Sequence, residues 1–182
     1  MEYIHVNHLF APVFNADSEI LILGSFPSVK SREQNFYYGH PQNRFWKLLP
    51  RIYGKMDIKL ETIDEKKEFL LENHIALWDV IKSCDIKGSS DSSIRNIEVN
   101  DLDIIIRNSN INKIILNGGK SYELYKRFFG DKNMPPAVKL PSTSPANAAW
   151  TMEKLESVWK PELLMKDGIV NRKVFDGEEI KL

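Results

Sequence analysis

Four short stretches of the chain are almost continuously apolar and end in turn-forming residues: Glu19–Leu23, Ile75–Val80, Lys113–Leu116 and Ala137–Leu140. Such runs predict β-strands buried on both faces, because a half-exposed strand alternates apolar and polar positions. Between them the period changes. Phe45, Leu48, Leu49 and Ile52 fall at i, i+3, i+4 and i+7 and predict an amphipathic helix. Phe69 with Leu70, Ile104 with Ile105, and Leu124 with Phe128 mark further helices, and another is expected from Asn147 to Trp159, stopped by Pro161. Strands alternating with helices predict an α/β protein, a three-layer αβα fold around a central, mainly parallel, four-stranded sheet with right-handed crossovers.

One domain is expected over residues 1–182, with its core in about 5–160. Residues 161–182 form a C-terminal tail, where Asp167-Gly168 and Asp176-Gly177 suit turns of a small hairpin or an irregular cover. The polar run Asp85–Asn96 reads as a solvated loop.

The loops leaving the strands matter for function, since ligands of open α/β sheets sit beyond the carboxyl ends of the strands. GSFPS comes after the first strand, Gly118-Gly119-Lys120 after the third and PSTSPAN after the fourth, so these loops are expected to share one edge of the sheet.

Composition narrows the chemistry. Lys+Arg and Asp+Glu both total 25, so contact with a polyanion must come from a local patch. Lys30, Arg32, Arg44 and Lys47 form such a cluster in sequence, and each can equally belong to a solvated charged face. One cysteine, Cys84, excludes a disulfide framework and points to a reducing, cytoplasmic setting. MEYIHVNHLF has neither the basic nor the apolar region of a secretory signal, and no apolar run suits a membrane helix. His5, His8, His40 and His74 lack metal-ligand spacing with carboxylates, so neither metal nor cofactor is expected.

Two constellations carry candidate chemistry. In Gly24–Trp46 a tight turn leads through Phe36-Tyr37-Tyr38 to His40-Pro41-Gln42-Asn43, with Pro41 suited to the first helical position. Asn43 then lies in the first helical turn, where its amide can meet a nucleobase edge, hold a water, or simply cap the helix. The aromatics can form the wall of a pocket for a flipped-out base or ordinary core. In the second constellation, Leu140–Asn147, three hydroxyls and two prolines precede the expected helix. That loop suits a grip on phosphates, although Ser and Thr are also the commonest helix caps. Asp79 ends a buried strand, with hydrogen bonding to backbone or orientation of water both open.

GSFPS, FYYGHPQNRFWKLL and PSTSPAN together resemble the two active-site motifs of the uracil-DNA glycosylase superfamily, most closely its hypoxanthine-DNA (deoxyinosine) glycosylases and next its mismatch-specific uracil/thymine glycosylases. ALWDVI and NGGKSYELY fit the same family, so the resemblance covers roughly residues 5 to 160. It implies a monofunctional enzyme, a monomer, acting on double-stranded DNA that contains a damaged base. It implies Asn43 as the catalytic residue and Gly24, Ser25, Phe26, Ser28 and Tyr38 around the base, Tyr38 as stacking platform. Ser142, Thr143, Ser144 and Asn147, with Lys30 and Arg44, become the expected DNA contacts. The chain departs from its relatives twice. Phe26 stands where the mismatch-specific enzymes carry a water-activating Asn, and Leu140 stands where the uracil-specific branch carries a His. Catalysis is then expected to rest on stabilising the leaving base and positioning water, with hypoxanthine or uracil opposite guanine as candidate bases. A DNA-binding module without chemistry is the alternative from another class. A small-molecule hydrolase is weaker, since no GxSxG elbow is present.

Overall fold

The computed structural model describes residues 2–88 and 91–164. Strand β1 (Ile4–Asn7) opens the chain, and β2 (Ile20–Gly24) leads into the short helix α1 (Val29–Gln34) and then α2 (Phe45–Ile52). Helix α3 (Ile63–Glu72), started by a capping box between Thr62 and Glu65, precedes β3 (Ile75–Asp79). Strands β4 (Ile81–Ile86) and β5 (Arg95–Val99) come next, then α4 (Asp103–Ile106), β6 (Lys113–Asn117), α5 (Gly119–Phe129), β7 (Ala137–Leu140) and α6 (Met152–Leu164).

The four expected strands form one all-parallel sheet in the order β3-β2-β6-β7. Helices surround it, with α3 on β3, α5 on β6 and β7, and α2 packed on α6, giving the expected three-layer α/β fold. Leu21–Leu23, Ile75–Leu77 and Ile114–Leu116 are buried, as their apolar runs require. β3 is an edge strand, yet it is fully buried because Val13 exchanges two backbone hydrogen bonds with Leu77, at 3.0 and 2.9 Å. β7 differs from expectation: it is a half-exposed edge with only Leu140 buried.

Three further expectations need correction. β1, β4 and β5 form a second, antiparallel sheet that hydrophobic runs do not reveal, since β1 and β5 are mostly exposed. The polar segment Asp85–Asn96 therefore is not all loop, because its ends belong to β4 and β5. The chain passes between sheets at Val80, where the buried Asn100 amide donates to Asp79 O at 2.9 Å and to Ile81 O at 3.2 Å. Finally, α6 begins at Met152, not Asn147, and runs through Pro161 to Leu164. Leu155, Trp159 and Leu163 lie buried on both sides of the proline, and their packing outweighs the hydrogen bond it removes. The expected terminal hairpin lies outside the described residues.

The site arises from the topology. β2 is flanked by the strand that comes next in the parallel sheet and by the one after, so the strand order reverses there and opens a crevice. Register brings Gly24 beside Asp79 and Asn117 beside Leu140 at the carboxyl ends.

Candidate active site

All four of those strand-end residues line one cavity of about 980 Å³. The loop Gly24–Ser28, Tyr37, Tyr38, His40, Asn43 and the loop Pro141–Asn147 complete its walls, so both sequence constellations meet in one place. Phe36 does not line it; its ring stacks on Trp46 in the core, at 5.8 Å.

Asn43 lies in a turn ahead of α2, where Asn43 N donates to His40 O at 2.9 Å. Pro41 thus precedes the helix instead of opening it, because the helix starts at Phe45. Asn43 Oδ1 accepts from Phe45 N, the first residue of the helix, at 3.0 Å, one position before the N-cap Arg44, while its Nδ2 meets no partner among the described residues. One half of the amide is structural. The other half remains available to a ligand in the cavity that Asn43 lines.

Tyr38 has a left-handed backbone, φ 53°, and its ring packs on Phe45 at 4.2 Å. Its hydroxyl is buried without a hydrogen-bond partner. Burial, then the Asp79 charge, push its pKa far up, and the neighbouring Asn117 amide offsets part of the shift. Tyr37 is shifted upward by the same two causes and donates to Ala11 O at 2.8 Å. Ser28 caps α1 by accepting from Ser31 N at 3.2 Å. Ser25 and Phe26 line the cavity beside it.

The second loop is more tightly built than its hydroxyl content suggests. Thr143 is buried: its Oγ1 accepts from Asn117 Nδ2 and its N–H donates to Asn117 Oδ1, both at 3.0 Å. Its hydroxyl oxygen thus helps to hold the loop, on a side chain that is fully buried. Ser144 N donates to Ser142 Oγ at 3.1 Å, and Asn147 Nδ2 to Ser142 O at 3.1 Å. α6 starts only at Met152, so the helix N-terminus beside these hydroxyls is that of α5, whose N-cap Gly118 packs on Ser142.

Arg44 also turns inward. Its guanidinium donates to Thr143 O, Ser144 O, Asn147 O and Trp150 O, a fork closed on the loop backbone. Lys30 sits on the exposed face of α1, 2.8 Å from Glu33, and does not line the cavity. Gly118 lets the loop pack this closely: its φ of 98° suits glycine, and a β-carbon there would lie 2.8 Å from Ser142 Cβ.

Two contributors carry no signal in the sequence. Asn117 precedes a Gly-Gly-Lys turn, and nothing local announces that its amide holds a loop 26 residues away. His8 lies outside every motif, yet its Nε2 is 2.8 Å from Asp79 Oδ2, with side chains only 2% and 5% exposed. Asp79 does stand out at the end of its apolar run; it lines the cavity, and its Oδ1 lies over Gly24.

Comparison with known proteins accounts for this arrangement. The model of the uracil DNA glycosylase superfamily matches residues 11–163. The chain belongs to this superfamily. A hypoxanthine DNA glycosylase of Methanosarcina acetivorans is 36% identical over 152 residues, covering 83% of this chain and 94% of the relative. A second hypoxanthine DNA glycosylase, from Methanosarcina barkeri, is 40% identical over 115 residues, 63% of this chain and 72% of the relative. The solution NMR structure of a candidate uracil DNA glycosylase from Methanosarcina acetivorans superimposes with a TM-score of 0.65 at 35% identity, covering 85% and 96% of the two chains. No helix among the described residues is long and apolar enough to cross a membrane.

Proposed function

We propose that this chain is a monofunctional DNA glycosylase of base-excision repair that removes hypoxanthine from double-stranded DNA and leaves an abasic site, acting as a monomer in the cytoplasm. The observation that carries this reading is the convergence of the Gly24–Ser28 loop, Asn43 and the Pro141–Asn147 loop on one cavity, in a chain related to hypoxanthine DNA glycosylases.

In this reading the damaged nucleotide leaves the duplex, at a cost that mispairing lowers, and its base enters the cavity. Water adds to C1′ as the glycosidic bond breaks; the bonding electron pair leaves with the base, and the proton that the water gives up ends on the departing base by way of solvent. Negative charge grows on the departing base. The unpaired Nδ2 of Asn43, beside the start of α2, is a donor suited to that charge or to the water. Tyr38, backed by Phe45, supplies the aromatic wall. Gly24, Ser25, Phe26 and Ser28 shape the pocket behind the base. Ser142 and Ser144, both partly exposed, are the hydroxyls of the second loop that meet the DNA backbone in this reading, with Thr143, Asn147 and Arg44 fixing that loop and Lys30 contributing from the exposed face of α1. No lysine stands in either motif as a Schiff-base nucleophile, so the strand stays intact.

Duplexes containing inosine, uracil or xanthine, or only normal bases, are incubated with the protein and then cleaved with alkali. Hypoxanthine release that produces breaks only after alkali is the expected result. A protein that binds these duplexes and frees no base is a binding module and not a glycosylase.

A further inference from the structure

The strand beside the Gly24–Ser28 loop ends in a buried carboxylate, Asp79. Register sets Asp79 beside Gly24, and the two carboxylate oxygens of Asp79 have different surroundings. Oδ2 accepts from His8 Nε2 at 2.8 Å, the ring nitrogen being the donor because a carboxylate only accepts. His8 is held in turn by the rings of Phe10, Phe26 and Tyr37. Oδ1 leans over Gly24 so closely that a β-carbon on that residue would collide with it, and no donor among the described residues meets it. Tyr38 Oη lies 3.1 Å from the same point, buried and unpartnered. A buried hydroxyl without a partner, near a carboxylate oxygen of a residue that lines the cavity, marks a place where a polar ligand group is due.

We propose that Asp79, held in place by His8, accepts the ring N–H of the extruded base and so selects deaminated bases against their amino parents. Deamination of adenine turns ring N1 from an acceptor into an N–H donor, next to a new carbonyl. A carboxylate oxygen can only accept, so hypoxanthine satisfies it, whereas the adenine N1 lone pair is repelled. Asp79 touches the base; His8 is a positioning residue, fixing which oxygen faces the cavity. The proposal rests on the glycosylase reading and adds the atom that reads the base.

Binding is measured on duplexes carrying a non-hydrolysable 2′-fluoro nucleotide of hypoxanthine or of unsubstituted purine, which lacks the N1 hydrogen, and on a duplex with a tetrahydrofuran abasic analogue. The wild-type protein is expected to prefer hypoxanthine over purine by about 10-fold or more. Asp79→Asn keeps its amide oxygen on His8 and turns NH₂ to the cavity, so it loses that preference while binding the tetrahydrofuran duplex as the wild type does. His8→Phe loses the preference as well, and His8→Gln, whose amide N–H has similar reach, restores most of it. Equal wild-type affinity for the two bases, which needs no variant, overturns the proposal; so does an unchanged preference in Asp79→Asn. Release of hypoxanthine from an ordinary deoxyinosine duplex is scored alongside. No release fails the glycosylase reading, whereas release with no coupling between Asp79 and the base edge fails this inference alone.

Discussion

Asn117 and Thr143 hold one another through two 3.0 Å hydrogen bonds, side chain to side chain and backbone to side chain, both within the protein interior. This pair fastens the loop after β7 to the end of β6, so Thr143 is part of the loop's frame. Thr143→Val keeps the shape and removes the acceptor, leaving the buried amide of Asn117 short of a partner. The expected cost is about 1–3 kcal/mol, read as a fall in the thermal midpoint. Excision should weaken along with it; a variant as stable as the wild type would mean that the hydroxyl contributes nothing to the loop.

Arg44 makes the same loop depend on the helix next to Asn43. Its guanidinium meets four backbone carbonyls, so Arg44→Lys, with a single ammonium, cannot reproduce the fork. Weaker binding to damaged and undamaged duplex alike is expected, and the dependence of affinity on salt should keep its slope. A slope reduced by about one unit would reveal a direct phosphate contact instead.

Asn43 does two jobs that one substitution can separate. Asn43→Asp retains an oxygen for Phe45 N and removes the Nδ2 donor. Its unfolding midpoint should stay near the wild-type value, while single-turnover base release drops by about 10²–10³-fold, as when one aimed donor is lost. Asn43→Ala loses the hydrogen bond to Phe45 N as well, for about 0.5–1.5 kcal/mol. Full activity in the Asp variant would move the chemistry away from this residue.

Pro161 interrupts the hydrogen bonding of α6 at a turn whose neighbours Trp159 and Leu163 are buried. Pro161→Ala restores a backbone donor where the helix already continues. A gain of about 1–3 kcal/mol, seen in thermal or urea unfolding, is expected without change in base release. A loss of stability would show that the ring packs better than the hydrogen bond it displaces.

The parallel sheet is legible in the chain because burial on both faces leaves a mark on every position, as in Leu21–Leu23 and Ile114–Leu116. The two constellations are legible because loops at strand ends keep their functional residues close together in sequence. The antiparallel sheet is not, since exposed strands such as Ile4–Asn7 carry no periodicity that differs from a loop. Pro161 misleads for a related reason: local propensity marks it as a stop, and only the buried side chains on either side keep the helix going. Sequence alone thus determined the family, the layer order and Asn43 as candidate. Only the tertiary structure decided which polar groups are consumed in holding loops, Thr143 and Arg44 among them, and which remain for a ligand, Asn43 Nδ2 and one oxygen of Asp79. Hydrogen-bond partners far apart in the chain settle that division. His8 reaches Asp79 across 71 positions, a distance over which no local pattern operates.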